Sequence, residues 1–600
     1  MLKLLQDARN APVLRPTDRT GLAAPDPTTA GHRPPEHRRP FDRVMRQIGP
    51  EALVVVLGVI IFSWDLGTPS PWRDESATMV IADRSVPQIL QLAAGVDLVH
   101  LSYYLIAHGV LALVPGADPD TALLTVRWVS VVAVALTAGV MVRIGRQLGS
   151  AFVGTTAALM LLTSPLASRY AQEARSYALI MLAAACATWA LLRACGRPWR
   201  RRGWTLYGLA LGATALLNVL SFLLLLVVHT VHVLTSTPST VRRRWCTATG
   251  RTVALLAPFV LMSFSQRTQV AWIHSPGLDI LHHFLLIEYE TLLVPLAVIT
   301  IAAGALLAGA LRRRTTAVLP APRTAGEVRI PAMIAAGLSP LPMGPRLPAP
   351  ARSAPVAGSP DRERRRAFAA LMGSGPHRGA FFLGLTWSLV PPLLLWCVSQ
   401  VHPLFAHRYV IFSLPGTALL LASLAPLLRP LGALLPLVAL VLSGSHTQSI
   451  YRHPAVGHGE DVRGVTRYIA SHALDSDAVL FLPDQMRLLA QQYPDRFRGL
   501  TDLAADASPV KTSTIWGEER PETVLRRIEG RTRIWVIAGP NGLAGPKSQA
   551  DTAKVATLSR DYRISEHANF LKFEVFLYTL VPTPPAQTPG PLSLGVPQEF

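Results

Sequence analysis

The stretch Pro71-Trp72-Arg73-Asp74-Glu75-Ser76-Ala77-Thr78 lies a few residues beyond the first long apolar run, Leu53 to Phe62. Two adjacent carboxylates at the mouth of a membrane span are costly neighbours, because desolvation and mutual repulsion disfavour ionising both at once. A chain that keeps such a pair beside the bilayer either employs it or leaves it in a solvated loop. Whether the apolar run is a span at all depends on the rest of the sequence.

Half of the 600 residues are hydrophobic and only 16% are charged, and the mean hydropathy is +0.33. These values describe a polytopic membrane protein. Apolar stretches of roughly 15 to 28 residues recur down the chain, where a crossing needs about 20. The formal charge of +20 does not point to nucleic acid. Its arginines cluster in short loops between apolar runs, as the positive-inside rule requires, with attraction to anionic lipid as a secondary consequence. Lysine is confined to Lys3, Lys511, Lys547, Lys554 and Lys572. With abundant Ala and Pro, that bias fits a GC-rich bacterial genome. Cys186, Cys195, Cys246 and Cys397 form no CxxC pair, so neither a disulfide framework nor a zinc site is indicated.

Residues 1–47 are rich in Arg and Pro, lack the apolar core of a signal peptide, and read as a disordered cytoplasmic tail. The membrane domain is expected over 48–446. Its first span covers about 50–66, and an interfacial helix follows from Ser76 to Ala94, interrupted by Asp83 and Arg84. Further apolar runs start near Leu98 and then occupy 121–142, 151–164, 176–194, 203–217, 219–234, 251–266, 284–311, 378–398, 408–427 and 429–446. If every run spans, there are about twelve crossings; treating 121–164 as one net crossing gives about eleven, within a range of 10–13. The second count puts the loops Arg197–Arg202, Arg242–Arg244 and Arg312–Arg314 inside. It puts Asp74, Arg169–Arg175, His402–Tyr409 and the C-terminal region outside. Its cost is an awkward position for Arg143 and Arg146.

The insertion 312–377, loaded with Pro, Ala, Arg and Gly, reads as a disordered cytoplasmic loop. Residues 451–582 change character. Short apolar strands such as Ala478–Leu482 and Ile534–Ala538 alternate with helical patterns over Asp461–Ala473 and Asp484–Gln492, the signature of a small α/β domain. Residues 583–600 form a Pro-rich tail.

Four polar constellations punctuate the apolar chain. The first is Asp74-Glu75. The second, Ser168-Arg169-Tyr170-Ala171-Gln172-Glu173-Ala174-Arg175, joins two spans, and its charges either snorkel at the interface or line a pocket at the membrane face. The third places His100, Tyr104 and His108 on one helical face; eight residues separate the two histidines, too far for a shared metal. The fourth is His402, His407, Arg408 and Tyr409 before a late span, where Arg can hold a phosphate through charge-assisted bonds. His453, His458, Glu460 and Asp461 read as a solvated linker in preference to a metal site.

In this order, the Asp-Glu step after the first span, the His before Tyr-Tyr, the Gln-Glu-Ala-Arg-Ser-Tyr element and the late Arg-Tyr step resemble membrane glycosyltransferases of the GT-C superfamily. The likeness is strongest to the protein-O-mannosyltransferase and aminoarabinose-transferase group, including actinobacterial mannosyltransferase-like members, and it covers about 50–446. It implies a multi-pass enzyme of the bacterial plasma membrane, working on the outer face with a small extracytoplasmic α/β domain. It also implies transfer of a sugar, mannose as the family expectation, from a polyprenyl-phosphate donor to a protein or glycan hydroxyl. Asp74 takes the place of the catalytic base, with Glu75 as its partner. His100, Arg175 and Arg408 are then the donor-phosphate ligands, and Tyr104, Arg169, Gln172, Glu173 and Tyr409 contact substrate. The family often has two prolines where this chain has Leu101-Ser102. Glu173 either orients the acceptor or helps hold a divalent ion; the sequence carries no ligand geometry that decides. The competing class is a transporter or lipid flippase, but no paired internal repeat is visible, and the polar groups gather at one face instead of mid-bilayer.

Overall fold

The computed structural model describes residues 49–270, 273–279, 376–428, 434–517, 520–540, 543 and 548–581. The expected basic tail 1–47, the apolar run 284–311, the insertion 312–377 up to residue 375 and the Pro-rich tail 583–600 lie outside the described residues.

The first helix, α1 (Pro50–Ser63), opens on a proline whose missing N–H costs nothing in a first turn. Two short helices follow, α2 (Arg73–Ala82) and α3 (Val86–Gly95). The expected interfacial helix is thus divided at Asp83-Arg84-Ser85, where the Gln88 side chain accepts from the Ser85 N–H and closes a capping box. After α4 (Leu101–Leu111) comes α5 (Pro119–Gln147), whose 29 residues rise about 43 Å. Its start is set by Pro119 and by Asp118, which accepts from the N–H groups of Asp120 and Thr121.

Then come α6 (Ala151–Thr163) and α7 (Pro165–Ala171), bent by 67° at Ser164-Pro165. The ring of Pro165 cannot continue the helix, and the Ser164 hydroxyl accepts from Ala167 to start the next one. The bundle is completed by α8 (Tyr177–Gly196), α9 (Arg201–Leu217), α10 (Val219–Ser236), α11 (Ser239–Ser265), α12 (Pro376–Ser399), α13 (Leu414–Leu424) and α14 (Leu434–Tyr451). Among the described residues, α5, α8, α10, α11 and α12 are each long and apolar enough to cross a membrane, and the bent α6–α7 pair is a sixth candidate. This is a multi-pass membrane protein.

Two expected crossings need correction. The run from Leu98 does not cross: α4 has only eleven residues, and both of its ends lie on one side. Before it, His100 meets Arg175, which in turn binds Asp74. Beyond it, Asp120 binds Arg463, Tyr493 and Arg496 of the C-terminal domain, the domain that also holds Arg73.

Conversely, 121–164 is not one continuous run but two helices that double back. Helices α5 and α6 form a tight hairpin whose far end is marked by an ion pair between Arg146 and Glu51. A Cβ built on Gly145 would stand 2.3 Å from the Cα of Gly154, so this crossing requires glycine. The α7 end returns to the level of Trp64, whose carbonyl accepts from Gln172. Arg143 and Arg146 therefore sit at the start-of-α1 end, where a basic loop is favourable.

The C-terminal sheet runs in the order β2-β1-β3-β5-β4, with β1 (Ala478–Leu482), β2 (Thr501–Asp502), β3 (Arg533–Ala538), β4 (Tyr562–Phe570) and β5 (Phe573–Leu580). The pairs β1–β2 and β1–β3 are parallel, and β3–β5 and β5–β4 are antiparallel. Alternation along β1 and β3 sends Val479, Phe481, Trp535 and Ile537 into one core, and Leu480, Ile534 and Val536 into another. Both faces are covered, as the continuous apolar runs require.

Candidate functional site

Helix α2 carries the two carboxylates in opposite directions. Glu75 is fully buried and held by a two-pronged contact from Arg127 of α5, Nε to Oε1 at 2.9 Å and Nη2 to Oε2 at 2.7 Å. It also accepts from the Ala174 N–H at 2.6 Å, and its Oε2 lies 3.1 Å from His458 Nδ1. Burial alone would raise this carboxyl, but Arg127 and His458 pull it well below the usual carboxylate range. Arg127 further donates to the carbonyls of Leu66 and Pro69, so one guanidinium ties the α1–α2 loop, α2 and α5 together. Glu75 thus stands apart from Asp74, closed off inside this knot.

Asp74 is a third exposed. Arg175 lies beside it: Nη1 donates to the Asp74 carbonyl at 3.2 Å and to Thr78 Oγ1 at 3.1 Å, and Nη2 stands 3.9 Å from its carboxylate. Burial works against the charge on Arg175, and Asp74 is the first of the groups that outweigh it, so the guanidinium is held more firmly charged than usual. The same Nη2 donates to His100 Nε2 at 3.1 Å. Burial and then Arg175 push His100 down to about 4. His100 Nε2 thus faces Arg175 as a hydrogen-bond acceptor, beside the residue expected with it on the donor phosphate.

The other predicted residues separate into two groups. Arg169, Glu173 and Arg408 line one cavity of about 560 Å³ with Trp72, Arg73 and Tyr451. Arg169 Nε donates to Glu173 Oε1 at 3.2 Å and its guanidinium covers the Tyr451 ring, while Arg408 covers Trp72 and Tyr409. Burial pushes the Glu173 carboxyl up to about 7 despite Arg169. Tyr409 and His100 also border an apolar groove of about 160 Å³ with Leu220, Leu223 and Phe264. In contrast, Tyr104 is buried with its hydroxyl on Asp97, and Gln172 is buried with its amide donating to the carbonyls of Phe62 and Trp64. Both face the protein interior, away from either cavity.

The segment expected as a solvated linker instead closes the site. His458 and Glu460 are buried, and Glu460 takes the Arg73 side chain at 2.8 Å and its backbone N–H at 2.9 Å. Burial and Arg127 hold His458 down to about 4 against the pull of Glu75. Among the described residues no three His, Cys, Asp or Glu side chains are grouped as metal ligands. Arg127 was missed in the sequence, although a single arginine within the apolar run 121–142 is itself a signal, because an unpaired charge at that depth is costly.

In this architecture the acidic helix α2 folds over one end of the bundle and an α/β domain is seated on it. Residues 117–263 match the family of dolichyl-phosphate-mannose-protein mannosyltransferases. The fold is similar to that of ArnT from Cupriavidus metallidurans bound to undecaprenyl phosphate, with a TM-score of 0.50 and 10% identity over 90% of this chain and 98% of that one. Against the apo state of the same protein the TM-score is 0.44, with 13% identity over 89% and 98%. No curated protein sequence matches the chain. The fold is accordingly GT-C-like, and the mannosyltransferase family match lies in its central segment.

Proposed function

We propose that the protein is a membrane glycosyltransferase that moves a sugar from a polyprenyl-phosphate donor to an acceptor hydroxyl at the outer face. The observation that carries this reading is the meeting of a half-buried carboxylate, Asp74, with the buried cation Arg175 at 3.9 Å, beside Arg408, while His100, which accepts from Arg175, borders an apolar groove. Asp74 accepts the proton of the acceptor hydroxyl as its oxygen attacks the anomeric carbon. The bond from that carbon to the phosphate oxygen breaks, and Arg175 and Arg408 balance the charge gathering on the leaving phosphate. Direct displacement of this kind inverts the anomeric centre. Mannose is the sugar that the family match favours.

The groove beside His100 and Tyr409 suits an isoprenoid chain, and the ligand of the ArnT structure is a polyprenyl phosphate, the kind of product such a transfer leaves. Arg169 and Glu173, across the larger cavity, suit the acceptor side. The test is to give the purified protein in nanodiscs a polyprenyl-phosphate mannose and a hydroxyl acceptor. Release of polyprenyl phosphate with glycosylated acceptor supports the proposal. Movement of intact donor between leaflets without release would support the flippase reading instead.

A further inference from the structure

Helices α9 and α11 run parallel and leave a groove between them of about 780 Å³. Their register is fixed by small residues: a Cβ on Gly208 would lie 2.9 Å from Thr252 Oγ1, and one on Gly212 would lie 3.7 Å from Leu256. The two glycines form a floor without side chains. The walls are apolar, and Leu209 and Leu255 are exposed on the outside of the bundle, where acyl chains lie.

Three arginines line the groove: Arg201 at the start of α9, and Arg244 and Arg251 on α11. Arg244 donates to the Pro198 carbonyl at 3.0 Å. Among the described residues no carboxylate pairs with any of the three. The positive-inside rule accounts for Arg201, the first residue of α9, and Arg244, in the second turn of α11, and Arg242 is spent on the carbonyls of Thr237 and Leu234. Arg251 is different. The site-side end of α11 is fixed by Gln266, which accepts from the Leu98 N–H. Counting back about 20 residues from Ser265 puts the inner hydrocarbon boundary near residue 245, so Arg251 starts about 9 Å inside it. A lipid-exposed guanidinium at that depth snorkels toward the headgroup level, where an anionic phosphate can meet it.

We infer that this groove is a binding site for one anionic phospholipid of the inner leaflet. Arg244 and Arg251, with Arg201 at the rim, hold the headgroup phosphate through charge-assisted bonds, and an acyl chain lies over Gly208 and Gly212. The three arginines lie toward the starts of α9 and α11, away from the end of α11 that meets Leu98, and the site stands whether or not the transferase reading does.

Native mass spectrometry of the full-length protein in detergent tests it, with phosphatidylglycerol, phosphatidylcholine and soluble glycerol phosphate as separate probes. The expected result is retention of one phosphatidylglycerol at concentrations where the other two are not retained. Arg244→Gln with Arg251→Gln should weaken retention on the order of tenfold or more, while Arg202→Gln leaves it unchanged. Gly212→Leu, whose Cβ meets only ordinary contacts, should fill the floor and expel the acyl chain with all three arginines intact. Equal retention of both lipids would overturn the site. Loss in the arginine variant with none in Gly212→Leu would show attraction to a basic surface and overturn the groove as its seat, as would glycerol phosphate binding as well as the lipid.

Discussion

Glu75 and Asp74 are neighbours in sequence and opposites in environment. Glu75 has no exposed surface and is saturated by Arg127, Ala174 and His458; Asp74 is a third exposed and keeps its carboxylate 3.9 Å from the nearest cation. A carboxylate already engaged on every side can hold the structure together but has no vacancy for a substrate proton. One left partly open beside a buried arginine can take that proton. The Glu75 knot fixes α2, and α2 presents Asp74.

The contrast can be broken most forcefully at the knot. Arg127→Met leaves Glu75 buried without its counter-charge, and breaking such a pair costs about 3–5 kcal/mol. Thermal unfolding and the yield of inserted protein should both fall, and adding Glu75→Gln should restore much of the loss. An unperturbed Tm in the single variant would mean that the knot does not hold α2.

Arg175 sharpens the other half of the comparison. Arg175→Gln should lower kcat by about 10²–10³-fold, as loss of one donor to a developing anion does elsewhere. Arg175→Lys keeps the charge but not the fork that spans the Asp74 carbonyl, Thr78 and His100, so it should recover only part of the rate. Full activity with lysine would reduce the role of this residue to charge alone.

Glu173 supplies a pH signature of smaller size. Its folded pKa is raised from 4.5 to about 7, so the native state binds the proton more tightly than the unfolded chain. Stability from this group is fully present below 4.5 and is lost as the pH rises through about 7. The Tm should therefore decline across that window, and Glu173→Gln should flatten the decline; an identical slope in the variant would assign the titration elsewhere. The smallest effect belongs to the far end of the bundle. Arg146 is 46% exposed in its pair with Glu51, so Arg146→Ala should cost less than about 1 kcal/mol. A cost near that of Arg127→Met would erase the distinction between buried and exposed pairs on which the comparison rests.

Much of this was legible in the residues. The acidic step after an apolar run, the Gln-Glu-Ala-Arg element and the late Arg-Tyr step were all expected on one face, and α2, the 169–175 segment and Arg408 do meet there. What the sequence does not carry is direction. Asp74 and Glu75 look alike until a helix turns one outward and the other toward Arg127. The apolar run at Leu98 looks like a span because hydropathy is blind to whether both ends of a short helix return to the same side. His458 and Glu460 read as linker because their burial depends on partners, Glu75 and Arg73, more than 380 residues away.

The most direct test of the account measures polyprenyl phosphate released from a polyprenyl-phosphate sugar by wild-type protein and by Asp74→Asn, side by side in nanodiscs. General-base action contributes about 10²–10⁴-fold, so the account predicts release by the wild type, a loss of that order in the variant, and the same Tm for both. Turnover by Asp74→Asn at the wild-type rate would contradict it.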